Sequence, residues 1–188
     1  ILLQKNNLLK SIKYGKSKKY DGILTVWNQQ LSEVGAKIIF ERSKIINHLS
    51  SIAKNKHLKI AEKSAEREEN LKILYNSGIS REIIEEYKPE KIKNELFYLL
   101  ESKSEREIER EMTLYGPHRD DISFMVLKDG EEKEIDIRKY GSQGQQRTAA
   151  LSLKLSEIEL VRKMTKDTPV LLLDDVLSEL DSNRQNFL

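Results

Sequence analysis

The chain has no cysteine among its 188 residues. A disulfide framework and a thiolate metal site are therefore excluded, and a reducing compartment suits it. No stretch approaches the roughly 18 consecutive apolar residues of a membrane span. No secretory signal pattern, internal repeat or low-complexity tract is visible. Also lacking is a phosphate-binding Gly-x-x-x-x-Gly-Lys-Ser/Thr loop. Gly15-Lys16-Ser17 supplies its last three residues, but Lys10 stands where the first glycine is needed, and no buried strand leads into it. The sequence opens on Ile1 rather than Met and stops at Leu188 within a helical pattern, so a truncated piece of a longer protein is expected.

What is present is a charged, helix-rich composition: 38% hydrophobic and 34% charged residues, enough chain for one domain or two small ones. The net charge of +2 conceals an asymmetry. Residues 1–60 carry 12 Lys/Arg against 3 Asp/Glu, and residues 61–188 carry 21 against 28. A basic end joined to an acidic remainder suggests that only one part faces a polyanion.

Hydrophobic spacing orders the elements. Leu2, Leu3, Leu8, Leu9 and Ile12 make a short amphipathic stripe closed by Gly15. Leu24, Trp27, Leu31, Val34, Ile38, Ile45, Leu49 and Ile52 then step by three, four or seven, which predicts one long helix over 23–55 packed along that seam. The run 71–75 is short enough to be a strand, and Pro89 opens a second helix through about 111. Beyond residue 112 the character changes. Segments 122–127 and 134–137 around Asp129-Gly130 predict a β-hairpin, and 145–165 a helix with Leu151, Leu155, Ile158 and Met164 on one stripe. After Thr168-Pro169, the run 170–173 lacks alternation, as a strand buried on both faces does.

Two motifs carry chemistry. In open α/β sheets ligands sit beyond the carboxyl ends of the strands, where Asp174 and Asp175 would emerge. That is the Walker B arrangement, in which the first acid serves Mg²⁺ and the second can polarise an attacking water. The alternative is a strand that merely exits through two solvated aspartates. The second motif is the turn Gly141-Ser142-Gln143-Gly144-Gln145-Gln146-Arg147 at the start of a helix, whose free N–H groups and dipole suit phosphate. Its two glycines allow close backbone approach, and Ser142 can add a donor or cap the helix; an ordinary capped loop is the plainer alternative. The order and spacing of the two motifs favour the nucleotide reading.

At these residues the chain resembles the ABC-type ATPase heads of the SMC/RecF group. Ser142, Gln143, Gly144 and Gln145 match the signature loop, Leu171 to Asp175 the Walker B strand, and Ser178 to Asp181 the D-loop. The string Tyr115-Gly116-Pro117-His118-Arg119-Asp120-Asp121 and the block Asp174-Asp175-Val176-Leu177-Ser178-Glu179-Leu180-Asp181 resemble the RecF branch of that group. The motifs cover residues 113–188; residues 1–110 are similar to the group's helical insertion only in pattern. The resemblance implies an α/β fold: a helical arm over 1–112, then the signature/Walker B lobe of an incomplete P-loop NTPase-like head over 113–188. It implies that Ser142, Gly144 and Gln145 contact the γ-phosphate of ATP held by a second subunit. Asp174 would serve Mg²⁺, Asp175 would be the general base, and Asp181 would report across the dimer interface. The expected parent is a cytoplasmic protein of recombinational DNA repair, replication restart and the SOS response. It would be a weak ATPase that dimerises with ATP on single- and double-stranded DNA without sequence preference, alongside other recombination-mediator proteins. Without its own Walker A motif, this chain alone is expected to bind ATP weakly and to be inactive.

Lys10, Lys13, Lys16, Lys18 and Lys19 around Tyr14 and Tyr20 are candidate DNA-phosphate contacts, against the plainer reading of a solvated helix end. His118 has no second His or Cys at ligand spacing, so a structural or interface role is expected of it. Two competing functions stay open. One is an SMC-like chromosome-structuring head, which one 30-residue segment with glycine breaks disfavours. The other is a non-enzymatic interaction module whose arm docks a partner protein.

Overall fold

The computed structural model of the chain describes residues 1–15, 21–61, 69–128 and 133–170. Its described residues form seven helices and one three-stranded sheet, an α/β arrangement. By contact the chain divides into two compact units: Ile1–Lys44 with Asn76–Asp121, and Ile45–Tyr75 with Ile122–Leu188. This division interleaves along the sequence, whereas the motif pattern suggested a single boundary at residue 112. The long helix α2 (Asp21–Ala61) supplies its first part to one unit and its second part to the other.

The first unit is helical. Helix α1 (Leu2–Lys13) buries Leu8 and Leu9 against Leu24, Trp27 and Ile108, and Gly15 leaves it at φ 65°, a left-handed backbone that a Cβ would strain. Helix α3 (Arg81–Glu85) is one short turn. Helix α4 (Pro89–Ser102) buries Ile92, Leu96 and Leu100 at four-residue spacing, its proline at the first turn where the missing N–H costs nothing. The expected continuous helix to residue 111 breaks at Lys103, and α5 (Ser104–Arg110) follows. From Glu101 to Glu107 no apolar side chain is available to hold a straight helix against a core.

Polar contacts tie α1 to α5 and the turn behind it. Lys5 and Glu107 are both fully buried, with Nζ 2.6 Å from Oε2, and Glu107 Oε1 accepts the Leu114 N–H at 2.7 Å. Asn6 Oδ1 accepts from both the N–H and the hydroxyl of Thr113 at 2.8 Å. Burial pushes the Lys5 ammonium below its ordinary pKa, against the opposing pull of Glu107 and Glu101.

The second unit holds the sheet, in the order β1-β2-β3. These are β1 (Glu69–Asn76), β2 (Asp121–Lys128) and β3 (Ile135–Asp136), with Met125 opposite Asp136 and Val126 opposite Ile135 in an antiparallel pair. The hairpin expected from 122–137 is thus present as two paired strands, and its Asp129-Gly130 turn lies outside the described residues. Leu71, Ile73 and Val126 pack with Ala53 of α2, Ile137 of α6 (Ile137–Tyr140) and Ala149 of α7 (Gln143–Thr165). The Ile73 N–H on β1 donates to Ser50 Oγ of α2 at 2.9 Å, which satisfies an edge-strand amide.

The face that α2 buries is only in part the one its apolar pattern predicts. Leu24 and Leu31 are buried and Trp27 and Leu49 pack against core residues, but Val34, Ile38 and Ile45 are 45%, 38% and 41% exposed. The buried side also includes Asn28, Ser32, Gly35, Ile39, Ser43, Ala53, His57 and Ile60. Close packing selects this face. A Cβ on Gly35 would lie 2.8 Å from Leu96 Cδ2 and 3.2 Å from Pro117 Cδ, so the neighbours approach where the side chain is absent. Asn28 is compensated by its Nδ2 bond to Glu101 Oε1 at 2.8 Å.

Lys5→Met leaves a buried glutamate without its cation and is expected to cost about 3–5 kcal/mol in urea unfolding. Adding Glu107→Gln, which keeps an acceptor for the Leu114 amide, is expected to recover most of that loss. A double variant as unstable as Lys5→Met alone would mean that Lys5 acts through packing rather than charge.

Candidate functional site: the loop before α7 and the basic first segment

The turn predicted to face phosphate is the N-terminus of α7, the 23-residue helix Gln143–Thr165. Ser142 is its N-cap and closes a capping box: its Oγ accepts the Gln145 N–H at 3.2 Å, and Gln145 Oε1 accepts the Ser142 N–H at 2.8 Å. Ser142 and Gln143 are exposed, Gly144 is half-buried and Gln145 is buried. Among the described residues the N–H groups of Gln143 and Gly144 have no hydrogen-bond partner. Two backbone donors at the positive end of a long helix, beside an exposed hydroxyl, fit an anionic oxygen.

Gly141 belongs to the site for a steric reason. A Cβ there would lie 2.6 Å from both the carbonyl oxygen and Cγ2 of Ile137, so the turn from α6 into α7 closes only on glycine. Gln146 fastens the same turn: its Nε2 donates to Ile137 O at 3.1 Å and Gly141 O at 3.3 Å.

Behind the loop, α7 presents a polar buried face that the apolar stripe did not suggest. Gln145, Thr148, Ser152 and Ser156 are buried beside Leu151 of the expected stripe, while Leu155 and Ile158 are half-buried and Met164 is 66% exposed. Hydroxyls step down this face in turn. Thr148 Oγ1 donates to Gly144 O at 2.9 Å, Ser152 Oγ to Thr148 O at 2.7 Å, and Ser156 Oγ to Ser152 O at 2.5 Å. Buried His57 of α2 brings Nδ1 to 3.3 Å from Ser152 Oγ. Sequence reasoning missed Gln146 and this ladder. The four-residue spacing 144, 148, 152, 156 was the available signal, hidden because serine and threonine score as surface residues.

The string 113–121 forms a turn. Gly116 has φ 125°, the Arg119 N–H donates to Gly116 O at 2.9 Å, and the Thr113 carbonyl gathers His118 Nε2 at 3.1 Å and Arg119 Nη2 at 3.2 Å. A carbonyl only accepts, so His118 carries its proton on Nε2. Among the described residues no group of three or more His, Asp or Glu is placed to hold a metal ion.

Of the candidate DNA-contacting lysines, Lys10 and Lys13 are described and exposed; Lys16, Lys18 and Lys19 lie outside the described residues. Lys13 is not a free cation. Its Nζ lies 2.6 Å from Glu111 Oε1 and donates to Glu109 O at 3.0 Å, and Tyr14 Oη donates to the same Glu111 oxygen at 3.1 Å. The Glu111 hydrogen bond raises the Lys13 pKa, and the Lys13 and Tyr14 hydrogen bonds lower that of Glu111. A second cationic cluster, Lys56, Arg162, Lys163 and Lys166, borders a hollow floored by Leu155 and Ile158. Glu159 sits between Lys163 at 2.9 Å and Lys56 at 3.1 Å, and those bonds hold its carboxyl below the ordinary range. Asp174, Asp175 and Asp181 lie outside the described residues.

Gly141→Ala is expected to destabilise the protein by about 1–3 kcal/mol in thermal or urea unfolding, because the clash is with backbone. The Lys13–Glu111 pair sets a pH window. Its contribution falls away as pH drops through the depressed Glu111 pKa and as pH rises through the raised Lys13 pKa. In Lys13→Met, the NMR titration of the Glu111 carboxyl should move up toward the ordinary glutamate range; an unmoved titration would assign the depression to Tyr14.

No family model matches the chain. Curated relatives match it end to end. It is 45% identical over 188 residues to the DNA replication and repair protein RecF of Lachnoclostridium phytofermentans, covering 100% of this chain and 46% of that protein. It is 46% identical to the protein of the same name from Staphylococcus carnosus, covering 100% of this chain and 47% of the relative. Among solved structures, one of the recombination mediator protein RecF with ATP, in the RecFOR pathway, superposes with a TM-score of 0.78 at 38% identity. That match covers 98% of this chain and 45% of the other. The chain spans about half the length of the proteins it matches, and along all of its own length it is similar to RecF proteins, with an α/β fold that corresponds to part of the RecF structure.

Proposed function

We propose that this chain is the part of a DNA replication and repair protein that presents the signature loop to ATP bound by a second subunit. What carries the reading is the loop before α7. An exposed serine and two backbone N–H groups without partners among the described residues stand at the head of a 23-residue helix, in a chain matched end to end by RecF proteins. Ser142, Gln143 and Gly144 offer the donors. Asp174 holds Mg²⁺, Asp175 acts as general base and Asp181 faces the partner's site. The functional parts are an arm over 1–112 and a head lobe over 113–188.

ATP then joins two heads on DNA, and slow hydrolysis releases them, so the nucleotide acts as a switch rather than a motor. The DNA contact is non-specific and salt-sensitive, borne by Lys10, Lys16, Lys18 and Lys19, while Lys13 is held by Glu111. The protein works in the cytoplasm with other mediators of the same recombination pathway. No described helix is long and apolar enough to cross a membrane.

In the full-length protein, ATP should produce dimers by light scattering in wild type and not in Ser142→Arg, whose side chain fills the space before the helix. Asp175→Asn should still bind ATP and keep its dimers, with turnover lost. An equal response of wild type and Ser142→Arg to ATP would reduce the loop to a helix cap and favour the interaction module.

A further inference from the structure

The four residues of the loop do not have equal access to a ligand. Ser142 and Gln143 are exposed, but Gln145 is 7% exposed and turned back onto the chain. Its Oε1 accepts the Ser142 N–H at 2.8 Å while its own N–H donates to Ser142 Oγ at 3.2 Å. We propose that Gln145 is a positioning residue, the inner half of a capping box that aims the Ser142 hydroxyl and the Gln143 and Gly144 N–H groups, and that its side chain does not touch the phosphate. This refines the nucleotide reading above and rests on it.

The geometry excludes both tasks at once. Turning the Gln145 carboxamide out past the helix terminus would release Ser142 N–H and open the box. Left in place, the arrangement is economical in donors. Ser142 Oγ accepts from Gln145 and keeps its own O–H to give, and neither Gln143 nor Gly144 has spent its N–H within the described residues. The neighbouring Gln146 takes the matching role on the α6 side by holding the Ile137 and Gly141 carbonyls. The two consecutive glutamines therefore fasten the loop at both ends, Gln145 from its buried side and Gln146 from its exposed side.

A capping box takes Glu as well as Gln at this position, and Glu makes the test. Full-length wild type, Gln145→Glu and Gln145→Met are compared in two measurements: hydrogen exchange of the Ser142 amide without nucleotide, and the ATP concentration that gives half-maximal dimerisation. In Gln145→Glu, Ser142 protection should persist and the half-point should stay within about threefold of wild type. In Gln145→Met, the Ser142 amide should exchange faster and the half-point should rise roughly fivefold, the weight of one lost cap. Loss of dimerisation in Gln145→Glu with Ser142 still protected would put the side chain against the phosphate and overturn the assignment. Equal Ser142 exchange in all three proteins would overturn it from the other side. Failure of wild type to dimerise with ATP would sink the nucleotide reading, and the exchange order would still decide the cap.

Discussion

Both units are built against one helix. The 41 residues of α2 contribute to each of them, and its buried stripe mixes small and polar residues with Leu24, Leu31, Ile39 and Ile60. Burying Asn28, Ser32, Gly35, Ser43 and His57 trades hydrophobic area for close approach. That exchange is favoured where buried polar groups find partners and a missing side chain is matched by a protruding neighbour. In the first unit Leu96 fills the space at Gly35 and Glu101 accepts from Asn28 Nδ2, while Asn28 Oδ1 has no partner among the described residues. In the second, Ser50 meets the Ile73 amide and Ser152 meets His57 Nδ1. The apolar residues left exposed on α2 follow from this choice of face.

The same economy shapes the loop before α7. Under the proposed reading the loop meets a ligand held by another subunit and cannot rely on that ligand for its shape, so its own bonds have to fix it beforehand. The capping box, the Gln146 bonds to two carbonyls and the steric demand at Gly141 all lie within six consecutive residues. Deeper along the helix, the hydroxyl ladder from Gly144 to Ser156 keeps the buried face satisfied while letting α2 come near. At the tip, the Gln143 and Gly144 N–H groups have no partner among the described residues.

Charge is distributed less freely than a count of residues suggests. The basic first third looks like a surface for a polyanion, yet three of its lysines are engaged by acids from the remainder: Lys5 by Glu107, Lys13 by Glu111 and Lys56 by Glu159. The first pair is fully buried and serves to join two helices. Long-range pairing of this kind leaves the net charge unchanged and removes cations from the surface available to a partner.

Spacing along the chain determined the existence of the elements. The three-and-four periodicity gave α2 and α7, Pro89 gave the start of α4, and two apolar segments around Asp129-Gly130 gave the strand pair, because each is a local property of backbone period and turn chemistry. The Ser142 cap was legible too, since Ser-x-x-Gln before a helix acts over a few residues. Tertiary structure decided which polar and small residues join the buried face of α2 and α7, where the helix after Pro89 breaks, and which lysines are spent in pairs. It also decided that Gln145 points inward. These outcomes depend on Leu96 meeting Gly35, Lys5 reaching Glu107 and His57 reaching Ser152, contacts between residues some 60 to 100 positions apart whose complementarity no local pattern encodes.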